Sequence, residues 1–249
     1  MSHEAGQESL EVERKYEVAA DLPLPAAESF AAAGLTAAAP VTYALAAIYF
    51  DSPERDLARR GMAMRVRHGG KDAGWHIKQR GSDGVRELFW PPSDEMPAGV
   101  REELVVRIGE AAASVVPVAE LNTERTVVVL SDESGSEIVE LADDRVEALD
   151  RVADVARVWR EWEAEVLPGA DAAVLDTVEP VLLTAGARVS LSLAKIARAT
   201  GALISMARAQ GAEASQIVAL EDLDRADRAA ARAAGLIPSS SDNEEGASR

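Results

Sequence analysis

Alternation of apolar and polar residues dominates the chain from Leu10 to Leu167. This two-residue period is typical of β-strands that bury one face and leave the other polar. The segments between the alternating runs are rich in Gly, Pro, Asp and Ser, which favour turns. The pattern predicts strands at residues 9–18, 41–50, 62–68, 74–80, 84–90, 121–130, 136–143 and 157–167.

Helical spacing appears in shorter segments between and after these strands. The segment 172–184 repeats apolar residues at intervals of three or four: Val174, Leu175, Val178 and Leu182. The other predicted helices are 25–33, 100–108, 193–200 and 216–234. The many short strands at similar spacing favour an antiparallel barrel or sandwich, so the predicted fold class is α+β with strands leading.

The composition of the chain changes near its C-terminal end. From about Ser205 onward the sequence is rich in Ala and acidic residues, and the segment 238–249 combines serines with glutamates, which is typical of a disordered tail. We therefore predict a folded domain over residues 1–203. A C-terminal helix and a disordered tail would follow in residues 204–249.

Charge narrows the range of partners. The 249 residues include 43 Asp and Glu against 26 Lys and Arg, which gives a formal net charge of −17. Such a charge argues against a general nucleic-acid surface or an anionic-membrane surface. The N-terminus lacks the apolar core of a signal peptide and no apolar stretch is long enough to span a bilayer, so we expect a cytoplasmic protein. Cysteine is absent and histidine occurs only at His3, His68 and His76, so we expect a bound metal to have oxygen ligands.

The charges of the predicted strands segregate by sign. Cations dominate one face of strands 62–68 and 74–80, with Arg65, Arg67, Lys78 and Arg80, and carboxylates dominate one face of strand 157–167, with Glu161, Glu163 and Glu165. A solvated face would usually mix both signs, although facing Arg and Glu can also form simple cross-strand ion pairs. If the charged faces line a barrel, its interior has a basic and an acidic side. Clustered Arg and Lys suit phosphate and paired carboxylates suit Mg²⁺ or Mn²⁺, so such an interior would bind a metal–polyphosphate complex.

The segment Glu11-x-Glu13-x-Lys15 resembles the ExExK signature of the CYTH superfamily, the triphosphate tunnel metalloenzymes. Further segments resemble that family in order along the chain, from about Leu10 to Thr200: Tyr49-Phe50-Asp51, Met64-Arg65-Val66-Arg67, Trp75-His76-Ile77-Lys78, Glu87, Arg125, residues 140–144, Glu163-Ala164-Glu165 and residues 192–199. Many actinobacterial members continue into a helical CHAD domain, and we expect this chain to lack one.

The resemblance implies a closed eight-stranded antiparallel β-barrel, or tunnel, with flanking helices, which hydrolyses a triphosphate, commonly inorganic tripolyphosphate, with Mg²⁺ or Mn²⁺. It assigns the phosphate chain to Arg65, Arg67, Lys78, Arg125 and Lys195, and the metal to Glu11, Glu13, Asp144, Glu163 and Glu165. Lys15 would polarise the phosphate or position the water, so the residues expected to act in catalysis are Lys15, Glu163 and Glu165. Glu87, Glu140 and Arg80 are further candidates.

Other functions remain compatible with these residues. Adenylyl cyclase and thiamine triphosphatase occur in the same family, and a non-catalytic module that binds polyphosphate would need the same cations. We rank the enzyme above the binding module because each main carboxylate is present. We expect a monomer or a homodimer with no nucleic-acid or membrane partner.

Overall fold

The computed structural model of the protein describes residues 6–192 and 194–236. Its strands are β1 (Gln7–Glu11), β2 (Glu13–Glu17), β3 (Thr36–Ala37), β4 (Val41–Asp51), β5 (Met62–His68), β6 (Gly74–Arg80), β7 (Val85–Trp90), β8 (Val116–Ser131), β9 (Glu137–Asp150), β10 (Val155–Val166) and β11 (Arg188–Val189). Its helices are α1 (Ala27–Ala31), α2 (Ala98–Ile108), α3 (Val174–Ala185), α4 (Lys195–Ala199), α5 (Ala202–Ala209) and α6 (Ala214–Ala233), with 3₁₀ turns at Ala58–Arg60 and Gly109–Ser114.

The strands form one antiparallel sheet. Within the described residues the sheet has 11 strands, in the order β1-β7-β6-β5-β4-β8-β9-β10-β2-β11, with β3 beside β8. The predicted α+β class is confirmed, but the closed barrel of eight strands is not. The two-residue strands β3 and β11 are too short to show a period, and the predicted strand 9–18 is two strands separated by Val12.

The segment around Val12 brings the two ends of the sheet together. Strand β1 pairs with β7, whereas β2, one residue further on, pairs with β10. The chain therefore passes from one end of the hydrogen-bonded order almost to the other within residues 7–17. The sheet curves around a cavity of about 560 Å³, whose lining includes residues of β1, β2, β4, β5, β6, β8, β9 and β10.

Helices cover the apolar outer face of the curved sheet. Helices α1 and α3 cover β2, β8, β9 and β10, with a core that includes Tyr16, Phe30, Leu141, Trp162, Val178 and Leu182. Helix α2 covers β5 to β7, with a core that includes Met64, Trp75, Ile77, Val100 and Leu104. Because apolar and charged residues alternate along each strand, this outer packing turns the charged faces toward the cavity.

The helices at the C-terminal end follow the sheet. The predicted helices 193–200 and 216–234 correspond to α4 and α6, while α5 was not predicted and Leu193 lies outside the described residues. The predicted disordered tail, 238–249, also lies outside them. Among the described residues, no helix combines the length and the apolar character needed to cross a membrane.

Candidate functional site

Most of the predicted site residues line the cavity enclosed by the sheet. They are Glu11, Glu13, Lys15, Arg65, Arg67, Lys78, Arg80, Arg125, Glu140, Glu163, Glu165 and Lys195. Asp144 and Glu87 lie behind this lining and are bonded to residues that belong to it. The structure therefore brings together, around one cavity, residues that are up to 184 positions apart in the sequence, since Glu11 and Lys195 both line it.

Glu163 on β10 lies at the centre of the charged cluster. Its Oε1 accepts hydrogen bonds from Lys15 Nζ and, at 2.6 Å, from Lys195 Nζ, and its Oε2 accepts one from Arg125 Nη2 at 2.6 Å. Lys15 is its directly paired neighbour on β2. Burial would raise the pKa of Glu163, but Lys15, Lys195 and Arg125 outweigh it and hold that pKa well below the usual value. Glu163 is therefore a carboxylate at neutral pH.

Three buried carboxylates form a group that we call the buried trio: Asp144, Glu161 and Glu163. One oxygen from each lies within 4.8 Å of the others, which fits the oxygen ligands of a hard divalent cation. Lys195 Nζ lies 2.8 Å from Asp144 and 2.6 Å from each of the two glutamates. The ammonium therefore offsets part of the negative charge of the trio, and a metal ion at its centre would compete with Lys195.

Glu161 was not among the predicted ligands. It pairs with Asp144 across β9 and β10, and it is almost fully buried. The signal was present in the sequence, because Glu161 shares its strand face with Glu163 and Glu165. Alternation alone does not show how close the residues of neighbouring strands lie.

A second group, the cavity carboxylates Glu11, Glu13 and Glu165, is less completely balanced. Lys78 Nζ lies 2.5 Å from Glu11, and Lys15 Nζ lies 3.0 Å from Glu13. Glu165 forms no ion pair within 4.0 Å with any described residue. Burial, and then the charge of Glu11, raise the pKa of Glu165 to about 7. A divalent cation beside these glutamates would relieve their repulsion, so this donor set also fits a metal.

The arginines of β5 are positive charges whose donors are incompletely matched. Arg65 has no carboxylate partner among the described residues, and its Nη1 donates to the Tyr49 hydroxyl at 3.3 Å. The Nε atoms of Arg65 and Arg67 are buried without a hydrogen-bond acceptor in the described part of the chain. Burial, and then the charges of Arg65 and Arg125, lower the pKa of Arg67 to about 9, although Asp72 is paired with it. Unmatched buried donors of this kind suit an anion.

Tyr49 is a cavity residue that the sequence singled out only as part of a motif. It pairs with Arg65 across β4 and β5. Burial would raise the pKa of its hydroxyl, but Arg65, Lys195 and Lys78 lower it overall. The register of two neighbouring strands, which periodicity does not give, is what places the hydroxyl beside the arginine.

The remaining predicted residues occupy the margins of the cluster. Glu87 pairs with Lys78 at 3.2 Å and with His76 Nδ1 at 2.7 Å, which places His76 behind the lining as a supporting side chain. Glu140 pairs with Glu165 across β9 and β10, and Lys71 lies 3.8 Å from it. Arg80 lines the cavity at the end of β6. These positions put all three further candidates near the site without giving any of them a role.

The family model of the CYTH domain matches residues 9–199, so the chain belongs to the CYTH-domain family. Two uncharacterized proteins of Mycobacterium tuberculosis, MT2285 of strain CDC 1551 and Rv2226 of strain H37Rv, are each 36% identical to the chain over 210 residues. The match covers 78% of this chain and 40% of each relative, so the chain spans about two fifths of the length of the curated relatives it matches.

Two solved structures resemble the chain at low sequence identity. A candidate adenylate cyclase from Bacillus halodurans has a TM-score of 0.54 at 17% identity, covering 77% of this chain and 97% of that chain. A candidate adenylyl cyclase from Hippeastrum, described as having a dominant triphosphatase activity, has a TM-score of 0.47 at 20% identity, covering 78% of this chain and 96% of that chain. The first likeness shows a common fold.

Proposed function

We propose that the protein hydrolyses a triphosphate in this cavity with the help of a divalent cation, and that inorganic tripolyphosphate is a substrate. One observation carries the proposal: the cavity holds unmatched charge of both signs. Arg65 is half-buried and has no carboxylate partner in the described chain, while Glu165 lies within the same cavity without a cation partner there. A metal–triphosphate complex would supply the missing negative charge on one side and the missing positive charge on the other.

The metal would be held by carboxylates of the two groups defined above. The sequence assigns Glu11, Glu13, Asp144, Glu163 and Glu165 to it, and the buried trio adds Glu161. CYTH-domain proteins are metal-dependent, and both groups consist wholly of the oxygen donors that Mg²⁺ and Mn²⁺ prefer. A cation held there would supply positive charge that stabilises the phosphate oxygens.

The cations of the cavity would hold the phosphate chain. The Nε atoms of Arg65 and Arg67 have no hydrogen-bond acceptor in the described chain, so they are free to donate to phosphate oxygens. Arg125 and Lys195 are bound to carboxylates, so phosphate oxygens would have to compete with those carboxylates for them. Phosphoryl transfer needs mainly such positioning and charge stabilisation from a protein, so this set is sufficient in kind for the reaction.

Lys15 is placed to act on the reacting phosphate or on the water that attacks it. Its ammonium lies between Glu13 and Glu163, and although burial would lower its pKa, Glu163 and other carboxylates raise it overall. Lys15 is therefore charged at neutral pH. We assign it to polarise a phosphate oxygen or to orient the water rather than to remove a proton.

The test is a substrate panel with identified products. With Mg²⁺ or Mn²⁺, purified protein should release orthophosphate from tripolyphosphate faster than from ATP, and Glu13→Gln and Glu163→Gln should lose this activity. Glu124→Gln is the matched control, because Glu124 is an exposed acid on the outer face of β8. Equal release by all three variants would overturn the assignment of the carboxylates. Cyclic AMP and pyrophosphate formed from ATP would replace the proposal with a cyclase, and binding without turnover would replace it with a binding module.

A further inference from the structure

Helix α6 lies beyond residues 9–199, which the CYTH family model matches, yet it is bound to the charged cluster. It packs on β10, and its residues Gln216 and Leu220 line the cavity. Two of its aspartates each hold an arginine that is almost fully buried. Asp227 accepts two hydrogen bonds from Arg198, at 2.8 and 3.0 Å, and Asp224 accepts one from Arg157 Nε at 2.7 Å.

Both arginines hold α4, the short helix that carries Lys195. Arg198 belongs to α4 and lies about one turn after Lys195. Arg157 Nη1 donates to the carbonyl oxygen of Ala199, the last residue of α4, at 2.7 Å. With five residues and no side-chain hydrogen bond at its N-cap, α4 is too short to be stable by itself. Its position therefore depends on these tertiary bonds.

Close contacts tightly constrain the position of the Lys195 ammonium. Its ammonium lies within 2.8 Å of three different carboxylates at once. Arg198 adds two bonds to Glu17 at 2.9 Å and lies over the ring of Trp159, which ties the same turn of α4 to β2 and β10. A displacement of α4 by about 1 Å would move the ammonium out of this arrangement and could cost on the order of 100-fold in kcat/KM.

We propose that α6 is a positioning element of the active site: through Asp224 and Asp227 it holds Arg157 and Arg198, and through them it fixes Lys195. The proposal rests on the proposed function, because Lys195 is assigned there to the phosphate chain. It gives a role at the site to a helix that lies outside residues 9–199, the segment that the family model matches. Asp224 and Asp227 are positioning residues and do not touch the substrate.

The kinetic test compares three aspartates of one helix. In the full chain, Asp224→Asn and Asp227→Asn should raise KM for tripolyphosphate by a factor on the order of 10 with a smaller fall in kcat, because a ground-state contact is weakened. Asp227→Glu should recover part of the affinity, since it restores a carboxylate. Asp222→Asn, at an exposed position beside Arg225, is the control and should behave as the wild type. A wild-type KM in both Asp224→Asn and Asp227→Asn, measured at matched concentrations of folded protein, would contradict the proposal.

Hydrogen exchange of the amides in residues 195–199 tests the positioning without any turnover. Asp227→Asn should speed the exchange of these amides relative to wild type and to Asp222→Asn, while the amides of β9 keep their protection. Unchanged exchange in α4 would overturn the proposal, whatever the activity. Should the wild-type protein prove inactive on every triphosphate, faster exchange in α4 would still support the positioning of α4 by α6, while the proposed function failed. If Asp227→Asn does not fold, Asp224→Asn, at a less buried carboxylate, serves for both measurements.

Discussion

Two buried arginines of this protein show how a structural cation differs from one that suits a ligand. Arg160 donates to both oxygens of Asp143, at 2.7 and 2.8 Å, and to the backbone carbonyls of Ala19 and Ala20. Arg67 is equally buried but keeps an unbonded Nε, and its pKa is lowered to about 9. A buried charge with unmatched donors costs stability, so the fold gains nothing from leaving Arg67 in this state.

We predict that Arg67→Gln stabilises the protein without ligand and weakens its binding of tripolyphosphate. The substitution removes a charge that burial, Arg65 and Arg125 disfavour, and the pair with Asp72 is worth little because Asp72 is exposed. A gain of about 1 kcal/mol would raise Tm by about 2–4 °C for a chain of this size. Differential scanning calorimetry and titration calorimetry measure the two effects.

Arg160→Gln provides the contrast for that prediction. It breaks a bidentate pair with Asp143, so Tm should fall, while affinity for tripolyphosphate in the folded protein should be unchanged because Arg160 faces away from the cavity. A lower Tm for Arg67→Gln together with wild-type affinity would show that Arg67 is structural as well.

Faces of single residues were predictable from the sequence, whereas their partners were not. Alternation placed Glu163 and Glu165 on one face of their strand, and Arg65 and Arg67 on one face of theirs. In the structure both faces line the cavity. The contact between Lys195 and the buried trio joins α4 to β9 and β10, and no period in the sequence relates those elements. The family resemblance supplied Lys195, and the structure supplied its neighbours.

The predicted start of one strand, β8, was wrong at a bulge. Strand β8 begins at Val116, five residues before the predicted start, although it contains Pro117. Pro117 lies where the register between β4 and β8 shifts, opposite Phe50. A bulge of this kind tolerates a proline that lacks the ladder N–H. The sequence shows the proline but not the irregularity that accommodates it.

The outer helices stabilise the sheet without forming the site, and α3 tests this division. Leu182 on α3 is fully buried in the core that includes Tyr16 and Trp162. Leu182→Ala should lower the free energy of unfolding by about 2–5 kcal/mol, because it leaves a cavity in a packed core. Urea unfolding measures the loss, and KM for tripolyphosphate should stay at its wild-type value below the transition.

Leu183→Ala is the matched control on the same helix. Leu183 is 40% exposed, so its truncation should change the free energy of unfolding by less than about 0.5 kcal/mol. A raised KM in folded Leu182→Ala would contradict this prediction, because it would mean that packing outside the sheet also sets the geometry inside it.

The net charge of −17 and a cavity suited to a polyanion are compatible only if positive charge is concentrated locally. The structure concentrates it on β5, β6, β8 and α4. The carboxylates of β1, β2 and β10 share that cavity and repel a triphosphate unless cations balance them. Metal and substrate should therefore bind with positive coupling, each strengthening the other by the same factor.

We predict that Mg²⁺ strengthens the binding of tripolyphosphate by about 10-fold or more, and that Glu165→Gln removes most of this gain. Burial and the neighbouring Glu11 make Glu165 the carboxylate that a cation would relieve most directly, as its raised pKa of about 7 indicates. Without metal, Glu165→Gln should bind tripolyphosphate at least as tightly as wild type, because it removes a negative charge from the cavity.

Titration calorimetry at matched free concentrations, with and without a chelator, separates this coupling from the complex that Mg²⁺ forms with tripolyphosphate in solution. Glu124→Gln, outside the cavity, should keep the full gain. If Glu165→Gln keeps it too, the metal is held by carboxylates other than Glu165.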